Sequence, residues 1–453
     1  MIRYSSSISH PNVQRSGNLN CKNIDRKMIV QFSFHILTVS LLFFPVQSFV
    51  CDSSWPDYCP PNGSSPTNIG GVSGCSNYTG PLPSNSNFST LRSQFINDIF
   101  GTPTLPTTIY PDYIENINTP QASGCWCTTQ GNCNITECMW NNNMTKLTFT
   151  ISVPVNSSFS ITANSTVFYT LNTSGVAPIE YPPISPPGFP DELLPPLKLG
   201  KVLVLMHEGH DDDCATCFAD YDGTVDFLNQ LGYDVMYFHM PGWGCSPLDL
   251  PGYSCSQGHA PLQPYADQGA KVIRLFLEPV VRAINYATEV LGYQQIVMMG
   301  LSGGGWTTTM MGALDTRIGV SIPIAGSVPC DFAHTSWDFE QLCDQPWFQT
   351  VNYTNIYVLA ANEPNRASIQ ILHEADPCCF HACHRHDRIR TYNQYVQHTA
   401  QGAFGTVATV GNAHEVNIRD KMVVGSILDK YRVNGIITQT DINNLPYNTL
   451  KEW

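Results

Sequence analysis

The chain has 453 residues, 42% apolar and 11% aromatic, enough to fold around a packed core and long enough for more than one domain. Its formal net charge is −14; residues 1–48 hold five basic residues and one acid, so the remainder sets 17 basic residues against 35 acidic ones, or −18. A balance this acidic disfavours nucleic acid and anionic lipid as main partners, because both are bound by clustered Lys and Arg.

From Met28 to Val50 there is no Lys, Arg, Asp or Glu; the densest apolar run is ILTVSLLFFPV at 36–46, and Arg26 and Lys27 precede it. This is the pattern of a signal peptide over 1–48, with a cut near Phe49. A signal anchor is the alternative, and only in that form is a membrane expected as a partner. Translation from Met28 is a further option. In each case the rest of the chain is expected in an oxidising space, secreted or in the endomembrane lumen. Seventeen Cys fit that compartment, and losing Cys21 with the leader leaves an even sixteen. Nine Asn-x-Ser/Thr sites occur, at Asn62, Asn77, Asn87, Asn134, Asn143, Asn156, Asn164, Asn172 and Asn352, so N-glycans are expected, concentrated between 62 and 172.

Residues 49–180 form a Cys-rich, sequon-rich region in which KLTFTISVPV and STVFYTLNT read as short strands. YPPISPPGFPDELLPPLKLG at 181–200 is a proline-dense linker. Over 201–453 apolar strand-like runs alternate with helical stretches: KVLVLM (201–206), DVMYFHM (234–240), QIVMMG (295–300), RIGVSIPIAG (317–326), ASIQILHEA (367–375) and FGTVATVG (404–411). A long helical stretch, residues 270–293, is expected to break at Pro279. The fold expected is α/β, a mostly parallel doubly wound sheet, preceded by a smaller Cys-rich, β-rich glycosylated domain. Seven Cys at 51–180 and nine at 201–453 require, on complete pairing, at least one disulfide between the two parts, unless two thiols stay free or pair with another chain.

In open α/β sheets, sites form at the carboxyl ends of the strands. Gly300-Leu301-Ser302-Gly303-Gly304 fits G-x-S-x-G, a sharp strand-to-helix turn that exposes a serine at a helix N-terminus. A plain glycine-rich βα turn or a phosphate cradle are the competing readings. No P-loop Lys and no G-x-G-x-x-G spacing supports a nucleotide.

Over roughly 200–430 the chain resembles the α/β-hydrolase superfamily. VLMHEGH resembles its oxyanion loop, GYDVMYFHMPGWG its next strand and turn, IQILHEADPCCF the strand and loop of the acid, and VATVGNAHEVN those of the histidine. The resemblance implies a Ser302, Asp376, His414 triad, in the chain order Ser…Asp…His. His414 would take the serine's proton, and Asp376 would orient the imidazole and stabilise its charge. Glu363, after another strand-like run, and Asp331 are alternative acids. The Gly303 amide would supply one oxyanion donor, and an amide of Glu208, Gly209 or His210 the second.

No metal or cofactor is expected. HEGH follows a strand and lacks the H-E-x-x-H spacing of a zinc protease. Asp211–Asp213 read as a solvated turn rather than a calcium loop, and the sulfurs of CCFHACHRH (378–386) as disulfides rather than zinc ligands. An insertion at about 327–366 carries Trp337, Phe339, Trp347, Phe348 and Tyr353, which either cap the site or pack beneath a long loop. The function these observations point to is a serine hydrolase cleaving a small-molecule or lipid carboxylic ester through an acyl-serine. The alternatives are a serine peptidase of the same superfamily and a non-catalytic binding or adhesion protein on that scaffold.

Overall fold

Alternating apolar residues build the first part of the sheet. After helix α1 (Phe88–Phe100) and strand β1 (Tyr113–Ile117) comes a hairpin of β2 (Met144–Asn156) and β3 (Phe159–Thr170). In β2, Leu147, Phe149, Ile151 and Val153 are buried and the residues between them are not, the period of two that a half-covered strand imposes. The tight turn between β2 and β3 is closed by Asn156, whose Oδ1 accepts the Ser158 N–H at 2.9 Å. The structure is a computed structural model that describes residues 88–117, 144–170, 202–210, 223–254, 257–329, 338–342, 350–378, 380, 382, 385–448 and 450. The leader, the proline-dense linker, Asp211–Asp213, Asp331, Trp337, Trp347, Phe348 and most of the sequons lie outside those residues.

Continuous apolar runs build the remainder. Strands β4 (Val202–His207) and β5 (Asp234–Phe238) flank helix α2 (Thr224–Gln230), and the short β6 (Leu248–Asp249) pairs with β3. Helices α3 (Gln263–Asp267) and α4 (Arg274–Glu289) lead to β7 (Gln295–Leu301), α5 (Gly303–Leu314), β8 (Ile318–Ile324), α6 (Tyr353–Ala360) and β9 (Ala367–His373). Then follow α7 (His386–Thr399), β10 (Ala403–Thr409), α8 (Ile418–Asn434) and α9 (Gln439–Asn443). Strands β4, β9 and β10 are buried at every position, as strands covered on both faces must be.

The described strands join in one sheet of order β1-β2-β3-β5-β4-β7-β8-β9-β10. The run from β5 to β10 is parallel. β3 pairs with β5 antiparallel, Val167 opposite Phe238, so the hairpin at 144–170 is the flank of the same sheet and not a layer of its own. The β4–α2–β5 connection runs one way along the sheet, and every later connection out to β10 runs the other. Because crossovers are right-handed, α2 and the group α4 to α7 fall on opposite faces. Accordingly α5 packs on α4 and α6, and α6 on α7, whereas Gly425 of α8 lies beside Phe227 of α2. The order reverses next to β4, which opens a crevice at its carboxyl end, between the loops that follow β4 and β7.

Helix α4 does not break at Pro279: it runs through from Arg274 to Glu289. Proline inside a helix costs about 3 kcal/mol, and here tertiary packing offsets it, since residues 275–285 are all buried, against β2 and α5 among others. Arg92 ties α1 to α5 and to the end of α6. It donates to the Ala313 and Leu359 carbonyls, each at 2.8 Å, and pairs with Glu363 at 2.6 Å. Arg366 meets the same carboxylate at 2.8 Å. Asn352, at one of the sequons, caps α6 by accepting the Asn355 N–H.

Burial alone would raise the Glu363 pKa, but its hydrogen bonds from Arg92 and Arg366 outweigh burial and hold it below the ordinary glutamate range. A carboxylate depressed in the folded state adds stability above its unfolded pKa of about 4.3, and that stability is lost as pH falls toward the folded value. Glu363→Gln is therefore expected to destabilise the protein by about 2–3 kcal/mol at neutral pH. The gap to wild type should close in acid, and urea midpoints measured across pH check both effects.

Candidate active site

Ser302 sits where β7 turns into α5, with φ 81° and ψ −111°. Few non-glycine residues tolerate a positive φ, and holding one there costs about 1–3 kcal/mol. The turn is pinned from both sides: the Ser302 N–H donates to the Ile324 carbonyl of β8 at 3.0 Å, and its own carbonyl accepts the Trp306 N–H at 2.8 Å. The glycines around it are a steric requirement. A Cβ on Gly304 would lie 2.0 Å from the His207 carbonyl oxygen, and one on Gly300 would lie 2.5 Å from the Gly304 oxygen. Helix α5 thus starts almost in contact with the end of β4. Its buried threonines at 307, 308 and 309 donate back to the carbonyls four residues earlier, so no hydroxyl is stranded.

Asp376 and His414 come from the ends of two neighbouring parallel strands. Asp376 follows β9 by three residues and His414 follows β10 by five. His414 Nδ1 lies 2.8 Å from Asp376 Oδ2 and 3.0 Å from Oδ1, and the Cys378 N–H donates to Oδ1 at 2.8 Å. The Asp376 carboxylate is fully buried. Burial would raise its pKa; the His414 hydrogen bond and charge, with the Cys378 amide, overcome that and keep it below the usual carboxylate range. An ionised carboxylate only accepts, so His414 carries a proton on Nδ1, and in the neutral imidazole Nε2 then holds the lone pair. That Nε2 is buried and has no hydrogen-bond partner among the described residues.

Behind this pair stands a residue the sequence did not single out. His373, the last residue of β9, is fully buried; its Nε2 lies 2.8 Å from Asp420 Oδ2 and its Nδ1 lies 3.8 Å from Asp376 Oδ2. Burial pushes its pKa down, but Asp420 and then Asp376 outweigh this and raise it, favouring a positive charge beneath the catalytic candidate. Asp420 also accepts from Thr409 at 2.7 Å and from the Asn417 N–H at 2.9 Å. The only sequence cue was HEAD, a histidine three residues before Asp376.

The loop after β4 closes the other side. The Glu208 N–H donates to the Phe238 carbonyl at 2.9 Å, extending the β4–β5 ladder, so this amide, one of the three expected oxyanion candidates, is already engaged. A Cβ on Gly209 would lie 2.7 Å from Ser302 Cβ and 3.3 Å from the Gly303 nitrogen, which puts the glycine backbone against the turn. The His210 ring rests on Gly303, whose added Cβ would come within 2.8 Å of His210 Cε1. Burial lowers the His210 pKa, and the charge of His414 is among the lesser influences in the same direction. His210 therefore borders the serine turn. It also faces His259 and Glu340, a grouping that residues so far apart in sequence could not reveal.

The other candidates have other roles. Glu363 is committed to Arg92 and Arg366. Within the insertion, Phe339 and Tyr353 are buried, and Tyr353 takes the Trp306 indole N–H of α5 at 3.1 Å. His386, in the Cys- and His-rich stretch, bonds Glu374 at 2.9 Å.

No family model matches the chain, and no curated protein matches it. Solved structures similar to it include an esterase from Pyrococcus furiosus, with 10% identity, TM-score 0.37, and coverage of 70% of this chain and 98% of that one. Acetyl xylan esterase 1 from Thermoanaerobacterium sp. has 12% identity and TM-score 0.42, covering 79% and 96%. Est1E from Butyrivibrio proteoclasticus has 10% identity and TM-score 0.31, covering 62% and 96%. Likeness at this level carries no functional inference; the geometry of the chain's own residues does.

Gly304→Ala should drive a methyl into the His207 carbonyl and lower stability by about 1–3 kcal/mol, the range for an overpacked core. Alanine at Gly425, whose nearest contacts are ordinary ones at 3.5 Å and beyond, should be near neutral, and thermal denaturation of the two variants compares them directly.

Proposed function

We propose that the protein is a serine hydrolase that cleaves a carboxylic ester through an acyl-serine intermediate. The observation that carries this is the His414–Asp376 pair, with its Nε2 lacking a hydrogen-bond partner among the described residues, at the same end of the sheet as a serine held in a strained turn. In the reaction, Ser302 Oγ attacks the ester carbonyl carbon while His414 Nε2 takes the hydroxyl proton. The negative charge moves to the carbonyl oxygen, which the amides of Gly303 and of Gly209 or His210 receive. As the tetrahedral centre collapses, the bond to the leaving oxygen breaks and His414 returns the proton to it, releasing the alcohol. Water then repeats the sequence on the acyl-serine, giving the acid and free Ser302. Asp376 fixes the imidazole proton on Nδ1 and stabilises the imidazolium formed in each half.

The substrate class is a small-molecule or lipid ester, and the compartment is secreted or lumenal. The second inference draws support from the seventeen cysteines and nine sequons of the sequence.

The purified protein is expected to react with a fluorophosphonate probe, with the adduct on the peptide holding Ser302. Ser302→Ala should abolish labelling and lower kcat by roughly four to six orders of magnitude. Folded wild-type protein that takes no label would instead favour a binding protein on this scaffold, and acyl-ester and peptide panels separate esterase from peptidase.

A further inference from the structure

Beside the serine turn, two imidazoles and a carboxylate converge in a way the proposed ester chemistry does not use. His259 is fully buried, and its Nε2 lies 2.7 Å from the Pro241 carbonyl oxygen. A carbonyl can only accept, so Nε2 carries a proton, and in the neutral ring Nδ1 carries a lone pair. That lone pair meets Glu340 Oε2 at 2.9 Å and His210 Nε2 at 3.1 Å. His210 Nδ1 in turn lies 3.3 Å from Asp338 Oδ2, which draws its proton to Nδ1 and leaves Nε2 with a lone pair as well. Glu340 is fully buried, and its Oε1, 3.4 Å from His210 Nε2, has no hydrogen-bond partner among the described residues. The three groups thus converge on one another, and with both imidazoles neutral all three turn electron pairs inward.

We propose that His210 Nε2, His259 Nδ1 and the Glu340 carboxylate bind one divalent transition-metal ion, Zn²⁺ by the chemistry of the donors. Two imidazoles and one carboxylate suit zinc better than magnesium or calcium, which prefer oxygen alone. The spacing also fits. Metal–ligand bonds of about 2.0–2.1 Å in a tetrahedron place donor atoms about 3.3 Å apart; the two imidazole nitrogens are 3.1 Å apart, Glu340 Oε2 is 2.9 Å from His259 Nδ1, and Glu340 Oε1 is 3.4 Å from His210 Nε2. Each histidine has an acceptor on its other nitrogen, Pro241 for His259 and Asp338 for His210, the outer support that ligating histidines need. Trp243 and Phe276 pack on His259 with ring centroids 4.7 and 4.6 Å away, shielding the site from water.

The ion would act as a clamp. His210 lies on Gly303 and follows Gly209, so fixing its ring fixes the loop that lines the Ser302 turn. His210, His259 and Glu340 are positioning residues in this account, and the binding itself does not depend on the hydrolase reading.

The full chain, stripped with a chelator and equilibrated with Zn²⁺, should retain about one equivalent more zinc, by elemental analysis, than Glu340→Gln prepared in the same way. Asp338→Asn, which alters only the outer support of His210, should keep the stoichiometry and weaken zinc binding by about 10- to 100-fold in a competition titration. Co²⁺ added to stripped wild type should give a visible d–d spectrum that zinc displaces, and this readout stands even if Glu340→Gln fails to fold. Equal zinc in wild type and in folded Glu340→Gln, or stripped wild type without a zinc-displaceable Co²⁺ spectrum, would overturn the proposal and leave a cluster that shares a proton.

Discussion

The site depends on how closely α5 approaches the end of β4. At Gly304 the two backbones are so near that no side-chain carbon fits between them. This contact fixes the direction in which α5 leaves the sheet, and hence the positive φ of Ser302. It also brings Gly209 and His210, the residues after β4, against the same turn. A serine on a relaxed turn would follow the strand direction; here main-chain packing lifts it to the sheet edge, and hydrogen bonds to β8 and within α5 hold the strain in place.

Charge is handled by a chain of buried pairs. Asp376 is desolvated and would not remain ionised alone, but His414 on one side and the Cys378 amide on another compensate it, with His373 nearby. His373 is in turn held by Asp420, which is locked at the first turn of α8 through a reciprocal cap with Asn417. The orientation of one imidazole at the surface of the site is therefore backed by contacts that reach the start of the last long helix. Removing any single charge from such a set leaves its partner buried and uncompensated, which costs more than the pair itself contributes.

Handedness places these groups together. With right-handed crossovers, a sheet that grows first one way and then the other must put its helices on opposite faces, and the loops separate where the direction changes. That point is the end of β4 and β7, where the oxyanion candidates and Ser302 meet, while β9 and β10 deliver Asp376 and His414 along the same edge. The hairpin at 144–170 completes the other flank of the sheet by pairing with β5.

What the sequence determined by itself was local. The six apolar runs from 202 to 409 are strands because their residues exclude polar surroundings on both faces. G-x-S-x-G marks a turn because only glycine fits it, and the order Ser302, Asp376, His414 follows from strands that come in that order. Pro279 misled because propensity is a local cost and α4 is held by long-range burial. Only the tertiary structure decided that the β2–β3 hairpin joins the main sheet, that the Glu208 amide is engaged by β5, that Glu363 serves two arginines, and that His210, His259 and Glu340 share one pocket of space. Each of these is a contact between segments distant along the chain, and sequence spacing carries no record of which distant segments the packing will bring together.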